Sequence, residues 1–247
     1  MQDRTYFLLK RLHSLAGVVP LAGFVAFHLF ENSYSVAGQD AFNQVVGNIR
    51  SQPYLYVLEL GLLSPLLFHA LMGIWLARAA KHNVGRYPTA QNISYSLQRF
   101  TGMILLLFIS FHLYTTRFAG IPSDQMFQTL AKEFSSPVIA IFYMLGILSA
   151  AFHLSNGLWG FGVSWGILSG QKSMDFAWKL CMGLGVAVAL MGLNALAGFE
   201  GMGLDIFQHD KTQAPASQSA PQNAVPSAAV LIPPPLPTEV PTQASKS

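Results

Sequence analysis

Charge is what this sequence has least of. Lys, Arg, Asp and Glu make up 10% of its 247 residues, whereas a water-soluble domain carries about 25%. That shortage excludes an ordinary soluble surface. The basic residues are scattered among separate segments, so a nucleic-acid-binding face is excluded too, in spite of a sequence pI near 9.0. Cysteine is nearly absent. Cys181 is the one copy and lies within an apolar run, which excludes an intrachain disulfide and any iron–sulfur cluster held by this chain alone. It reads as a small packing residue. Carboxylates are missing from the interiors of the apolar runs except for Glu59, which weighs against a proton-relay transporter. A small-residue cleavage site is also missing after the first apolar run, Leu15 to Phe30, so that run is expected to remain as a span.

What the chain has in abundance is long apolar stretches. Hydrophobic residues make up 52% and the mean hydropathy is +0.41. A basic lead from Met1 to Leu12, with Arg4, Lys10 and Arg11, precedes span I, His13 to Phe30. The polar stretch Glu31 to Gln52 has room for a short amphipathic helix around Ala41 to Ile49. Span II covers Tyr54 to Ala77 and contains Pro65, expected to kink the helix and free the Gly61 carbonyl. A basic loop, Arg78 to Arg99, leads to span III, Phe100 to Thr116, and a mixed loop, Arg117 to Ser136, to span IV, Pro137 to Phe161. After a loop with Lys172, span V runs from Phe176 to Phe199. Beyond it Pro, Ala, Gln and Ser dominate, with Pro233-Pro234-Pro235 near the end, which predicts a disordered tail. The expected organisation is an all-α membrane protein with five transmembrane helices in residues 1–207 and a tail over 208–247.

Orientation follows from the cytoplasmic excess of Lys and Arg. With the N-terminus inside, Arg4, Lys10, Arg11, Arg78, Lys81, Arg86, Arg99, Lys172 and Lys179 are inner; Arg50, Arg117 and Lys132, plus Lys211 and Lys246 in the tail, are outer. The imbalance predicts a cytoplasmic N-terminus and a tail outside. Trp75, Trp159, Trp165 and Trp178 then fall together at the inner interface, as an aromatic belt does.

One dipeptide repeats through these spans: Phe27-His28, Phe68-His69, Phe111-His112 and Phe152-His153, each copy 41 to 43 residues after the last. An ionisable side chain at membrane depth is costly and points to function. At about 1.5 Å of rise per residue, His28 lies roughly 6 Å from Asn32 and His112 roughly 7 Å from Arg117, both near the outer face. Spans II and IV run inward, so His69 lies roughly 23 Å below Tyr54 and His153 roughly 24 Å below Pro137. In an antiparallel four-helix bundle spans I and III are diagonal, as are II and IV. Each level thus has two imidazoles facing across the axis, the arrangement of a bis-histidine haem. The reading is two haems in a bundle of spans I–IV, their irons roughly 16 Å apart along the membrane normal. A single four-histidine zinc or copper site is excluded, because a metal needs its ligands within about 2 Å. With two axial nitrogens the iron has no open position, so such haems carry electrons and do not bind oxygen.

Smaller features admit two readings each. Gly17, three turns before His28, and Gly146, two turns before His153, either make room for a haem or simply pack helices. Ser149 either orients His153 or caps a local carbonyl. His13, Arg99 and Arg117 sit where haem propionates could be met, or act as interfacial anchors. His82 and His209 read as solvated.

Taken together, Arg11-Leu12-His13-Ser14, Gln98-Arg99-Phe100-Thr101-Gly102, His112-Leu113-Tyr114, and Phe152-His153-Leu154-Ser155-Asn156-Gly157-Leu158-Trp159 with Trp165-Gly166 give residues 5–199 a family resemblance. The chain resembles the five-span, two-haem cytochrome b anchors of succinate:quinone oxidoreductases and fumarate reductases. The resemblance implies a bacterial cytoplasmic membrane and docking of a flavoprotein and an iron–sulfur subunit on the inner face. It further implies electron flow from succinate through an inner haem on His69 and His153 and an outer haem on His28 and His112. The acceptor is a quinone, menaquinone by the same resemblance, and the direction reverses in fumarate reductases. Some relatives carry a glutamate two residues before the span IV histidine; here Ala151 stands there, which puts a compensating proton path in doubt. If the quinone binds near the outer haem, Glu59 is the candidate acid–base group, with Tyr54, Tyr56 and Arg117 around the headgroup. The competing readings are an anchor for a hydrogenase or formate dehydrogenase, and a haem-free transporter or structural anchor.

Overall fold

The computed structural model describes residues 2–78 and 84–206. Lys81, His82, His209, Lys211, Lys246, Pro233-Pro234-Pro235 and the whole of the expected tail lie outside the described residues. Among those described, all regular structure is helical. Five stretches are long and apolar enough to cross a membrane: Arg4–Ala37, Leu55–Arg78, Ala90–Thr116, Pro137–Ser164 and Gln171–Gly198. The five-helix expectation is therefore borne out.

Helix α1 (Gln2–Ala16) passes through a π-helical turn (Gly17–Leu21) into α2 (Ala22–Asn32). Pro20 has no N–H to give to the carbonyl four residues back, and the wider turn absorbs that gap. The Ala22 N–H bonds back five residues, to the Gly17 carbonyl. The second proline inside a span, Pro65, where the sequence predicts a kink, lies within α4 (Leu55–Arg78), which stays helical across it. The basic lead is helical and continuous with span I. Lys10 sits over the Tyr6 ring and Arg11 over the Phe7 ring, each one turn away, and Tyr6 packs edge-on against Trp75 of α4.

A 3-10 turn (Ser33–Ala37) ends at Gly38, whose φ of 98° suits glycine, and α3 (Gln39–Arg50) follows. Helix α5 (Ala90–Thr116) starts ten residues before the expected span III. Its Thr89 hydroxyl caps the Asn92 N–H at 3.3 Å. The mixed loop 117–136 also holds a helix the sequence reading missed, α6 (Met126–Phe134), which buries Met126, Leu130 and Phe134 along one face. Helix α7 (Pro137–Ser164) opens on a proline, where no N–H is needed. Helix α8 (Gln171–Gly198) buries Gly185, Gly192, Ala195 and Gly198, small residues that let it lie close to its neighbours.

The helices form a ring. α1 and the π-turn pack on α4, α4 on α5, α5 on α7, and α7 back on α1 and the π-turn. Spans I and III thus lie across from each other, as do II and IV. α8 lies outside the ring against α7 and α2. The end of the bundle bearing the N-terminus is called the near end below, and its opposite the far end. At the far end Phe42, Met126, Leu130, Phe134, Tyr143 and Phe199 form a buried cluster joining α3, α6, α7 and the residue after α8. Asn43 staples this cap: its side chain donates to the Asp124 carbonyl at 2.6 Å and accepts from the Phe127 N–H at 2.9 Å.

Candidate cofactor site: two histidine pairs across the bundle

The four histidines meet in twos. At the far end His28 on α2 faces His112 on α5, with ring centroids 5.7 Å apart and planes at 73°. At the near end His69 on α4 faces His153 on α7, at 6.2 Å and 78°. Two imidazoles on opposite sides of one metal, each bonded at about 2.0 Å, have centroids about 6 Å apart. Both pairs fit that spacing. No cluster of three or more His, Cys, Asp or Glu suited to a metal exists among the described residues. A metal between either pair would take its remaining ligands from elsewhere, as an iron in a porphyrin does.

The near pair is held by main-chain carbonyls from neighbouring helices. His69 Nδ1 lies 2.9 Å from the His13 carbonyl, and His153 Nδ1 lies 3.1 Å from the Gln98 carbonyl. A carbonyl only accepts, so each Nδ1 carries the proton and each Nε2 presents its lone pair. The His13 ring stacks on His69 at 4.0 Å. Gly17 lies against the same imidazole, where a Cβ would stand 2.7 Å from the His69 Cε1. Its role is thus to admit the His69 ring. Ser149 is buried, and the side-chain partner that reaches the His153 Nδ1 is the Thr101 hydroxyl, at 3.3 Å.

The far pair has other partners. The Tyr143 hydroxyl lies 3.3 Å from the His112 Nδ1. Asn32 places its amide nitrogen 3.3 Å from the His28 ring nitrogens while donating to the His28 carbonyl at 2.8 Å, and the Glu31 carboxylate lies 4.0 Å from the His28 Nδ1. Each far histidine stacks on the phenylalanine one turn before it, Phe24 on His28 and Phe108 on His112. Gly146 packs against Phe108 rather than opening on an imidazole. The phenylalanine of the repeated dipeptide has no common duty: Phe27 is exposed, whereas Phe111 packs on Phe142.

Glu59 and Arg117 bind each other. The guanidinium donates to both carboxylate oxygens, Nε at 2.5 Å and Nη2 at 2.9 Å. Hydrogen bonding to Glu59 raises the Arg117 pKa. Arg50 of α3 is close by and donates to the Ile121 carbonyl; burial and then Arg117 push its pKa down. Tyr54 and Tyr56 are exposed, Tyr56 close enough to act electrostatically on Arg117. At the near end Arg99 folds over the Tyr95 ring, 3.3 Å from its centroid, and donates to the Tyr95 carbonyl. Arg11 lies between the Phe7 and Trp165 rings, and Trp165 donates to Ser14 at 3.0 Å. Among the described residues, His13 Nδ1, Arg11 Nη1 and Arg99 Nε are buried without a hydrogen-bond partner. Orphan donors of that kind are costly unless an acceptor fills the gap.

Sequence reasoning missed Glu31, Asn32, Gln98 and Tyr143 as neighbours of the pairs, and Arg11 as a buried group at the near end. Gln98 left a trace, since Gln98, Thr101 and Gly102 share a helical face. Tyr143 left none, because its helix reaches His112 only through the tertiary fold.

This is a multi-pass helical membrane protein with two facing histidine pairs between its spans. Residues 76–193 match the family described as Succinate dehydrogenase/Fumarate reductase transmembrane subunit. The succinate dehydrogenase cytochrome b558 subunit of Bacillus subtilis (strain 168) is 38% identical over 201 residues, which cover 81% of this chain and 100% of that protein. The chain belongs to the succinate dehydrogenase/fumarate reductase transmembrane subunit family.

Proposed function

We propose that this chain is the two-haem cytochrome b anchor of a succinate dehydrogenase, with its near end in the cytoplasm. The observation that carries the proposal is the pair of facing imidazole couples, at 5.7 Å and 6.2 Å. His69 and His153 hold one b haem, and His28 and His112 the other. When bound, each haem would supply one-electron transfer. The route runs from a flavoprotein and an iron–sulfur subunit docked at the near end to a membrane quinone, menaquinone, at the far end. The cytochrome b name of the Bacillus relative supports the haem assignment.

The chain's own groups do the rest. The main-chain carbonyls of His13 and Gln98 fix the near imidazoles with Nε2 free. The unpartnered donors of Arg11, His13 and Arg99 suit haem propionates, which guanidinium groups bind well. Arg117 meets Glu59 instead, so we assign it to the quinone site rather than to a propionate. There Arg117 orients the Glu59 carboxylate, which takes up or releases the protons of the quinone oxygens, and Tyr54 and Tyr56 flank the headgroup. The deciding experiment is a pyridine haemochrome assay of the purified complex. Two b haems per chain, co-purifying with flavoprotein and iron–sulfur subunits, is the expected result; one haem or none rejects the assignment.

A further inference from the structure

In the motif Gln98-Arg99-Phe100-Thr101-Gly102 the main-chain carbonyl of Gln98 holds the His153 ring, whereas electron transfer and docking give the Gln98 side chain no use. Gln98 lies on α5 directly beside His153 of α7, and its contacts run in both directions between the helices. Its side-chain amide donates to the His153 carbonyl at 3.0 Å. Its side-chain oxygen accepts from the Asn156 amide at 2.9 Å. Its own main-chain carbonyl takes the proton of the His153 Nδ1 at 3.1 Å.

The neighbours repeat the pattern. On α5, Gln98, Thr101 and Gly102 are spaced i, i+3, i+4 and form one strip. On α7, His153, Asn156 and Gly157 have the same spacing, and the two strips interlock. Thr101 Oγ1 reaches the His153 Nδ1 at 3.3 Å. A Cβ on Gly102 would stand 3.2 Å from the His153 Cε1, and one on Gly157 would stand 3.5 Å from the Gln98 amide nitrogen. Glycine at 102 lets the imidazole approach the α5 backbone closely, whereas a Cβ at 157 would make ordinary contact with the amide. His153 is thus held at its backbone carbonyl, its Nδ1 and its ring edge, all from one strip of α5.

We infer that the Gln98 side chain is a positioning group that sets the rotation of the His153 imidazole, and with it the 78° angle between the His153 and His69 planes. By bonding the His153 carbonyl and the Asn156 amide, it fixes the α5–α7 register in which the Gln98 main-chain carbonyl meets the His153 Nδ1. This rests on the reading of His153 as an axial ligand. Gln98 does not touch the iron. It acts through the imidazole, as an outer partner that orients a ligand does. In the far pair the His112 carbonyl accepts from Thr116 of its own helix while its Nδ1 meets the Tyr143 phenol. His28 takes its ring and carbonyl contacts from Asn32 of its own helix. Among the described residues, then, no strip of a neighbouring helix clamps either far histidine in this way. The inference is therefore specific to the near haem.

The low-spin ferric EPR spectrum depends on the angle between axial imidazole planes, and His69→Ala and His28→Ala, each expected to lack one haem, assign its components to the near and far sites. We would record it on the purified complex for wild type, Gln98→Leu, Asn156→Ala and Gly102→Ala. The expected result is a displaced near-haem signal in Gln98→Leu, a smaller displacement of the same signal in Asn156→Ala, and a displacement in Gly102→Ala as the added methyl pushes on the ring. The far-haem signal keeps its position in all three, and haem content stays at the wild-type level. An unmoved near signal in both Gln98→Leu and Gly102→Ala, with both haems present, overturns this inference while leaving the two-haem reading intact. Equal disturbance of both signals also overturns it, because that is the mark of a general packing role. A wild-type complex lacking two low-spin signals sinks the haem reading itself.

Discussion

At the scale of single residues, the four histidines divide into two classes by what holds them. The near pair is fixed by carbonyls of other helices, whereas the far pair leans on a tyrosine hydroxyl and an asparagine amide. If the pairs are independent sites, loss of either member empties one of them. We expect His28→Ala and His112→Ala to remove the same spectral component, and His69→Ala and His153→Ala the other, read by reduced-minus-oxidised spectra of the membranes. A common component lost in His28→Ala and His69→Ala would break the pairing. Glu59 and Arg117 form a different sort of pair. Their side chains are 25% and 41% exposed, so the pair sits at the rim of the fold rather than in its packed core. Glu59→Gln should therefore leave the melting temperature and haem content nearly unchanged while lowering quinone reductase turnover at least several-fold. An unaltered turnover would remove Glu59 from the quinone site.

At the scale of elements, the loops matter more than their composition advertises. Helices α3 and α6 are too short to span a membrane, yet they bring Phe42, Met126, Leu130 and Phe134 against Tyr143 and Phe199. Tyr143 is the residue whose hydroxyl meets His112, so this cap is coupled to the far pair. Phe134 packs on Tyr143 with ring centroids 4.6 Å apart and on Phe199 at 5.2 Å. Truncating a buried phenylalanine costs about 3–5 kcal/mol. Phe134→Ala should lower the thermal stability of the far haem's absorbance and affect the near haem less, measured by heating the reduced complex. Equal loss at both ends would mean that the cap is not coupled to one pair. The π-turn at Gly17–Leu21 shows the same economy of position, since the segment that accommodates Pro20 begins with the glycine that admits His69.

At the scale of the whole molecule, the two ends differ. All four tryptophans, Trp75, Trp159, Trp165 and Trp178, lie at the near end, where Trp159 donates to the Met174 carbonyl and Trp165 to Ser14. The far end carries the aromatic cap and the Glu59–Arg117 pair. This asymmetry supports the proposed function, in which soluble subunits dock at the near end and a quinone at the far end. The Bacillus relative is matched along its full length by 201 residues, fewer than the 247 here. We therefore propose that residues 1–207 are sufficient for the anchor. Deleting residues 208–247 should leave both haems and partner co-purification at full-chain levels; loss of either on deletion would assign the segment a role in assembly.

The sequence by itself determined the number of spans, their order and the positions of the four histidines, because hydropathy and a 41-to-43-residue rhythm are properties of the chain read in one dimension. It also placed His28 with His112 and His69 with His153, since helix rise and an up-down topology leave little freedom in depth. What only the tertiary structure decided was which neighbour holds each imidazole. Gln98 is 55 residues from His153 and Tyr143 is 31 from His112, and no local periodicity reports a hydrogen bond across such a distance. For the same reason Glu59 and Arg117 were legible as two polar residues near one face, but not as a bidentate ion pair. Contacts within a helix are written in its spacing; contacts between helices depend on their rotation about their own axes, which packing alone sets.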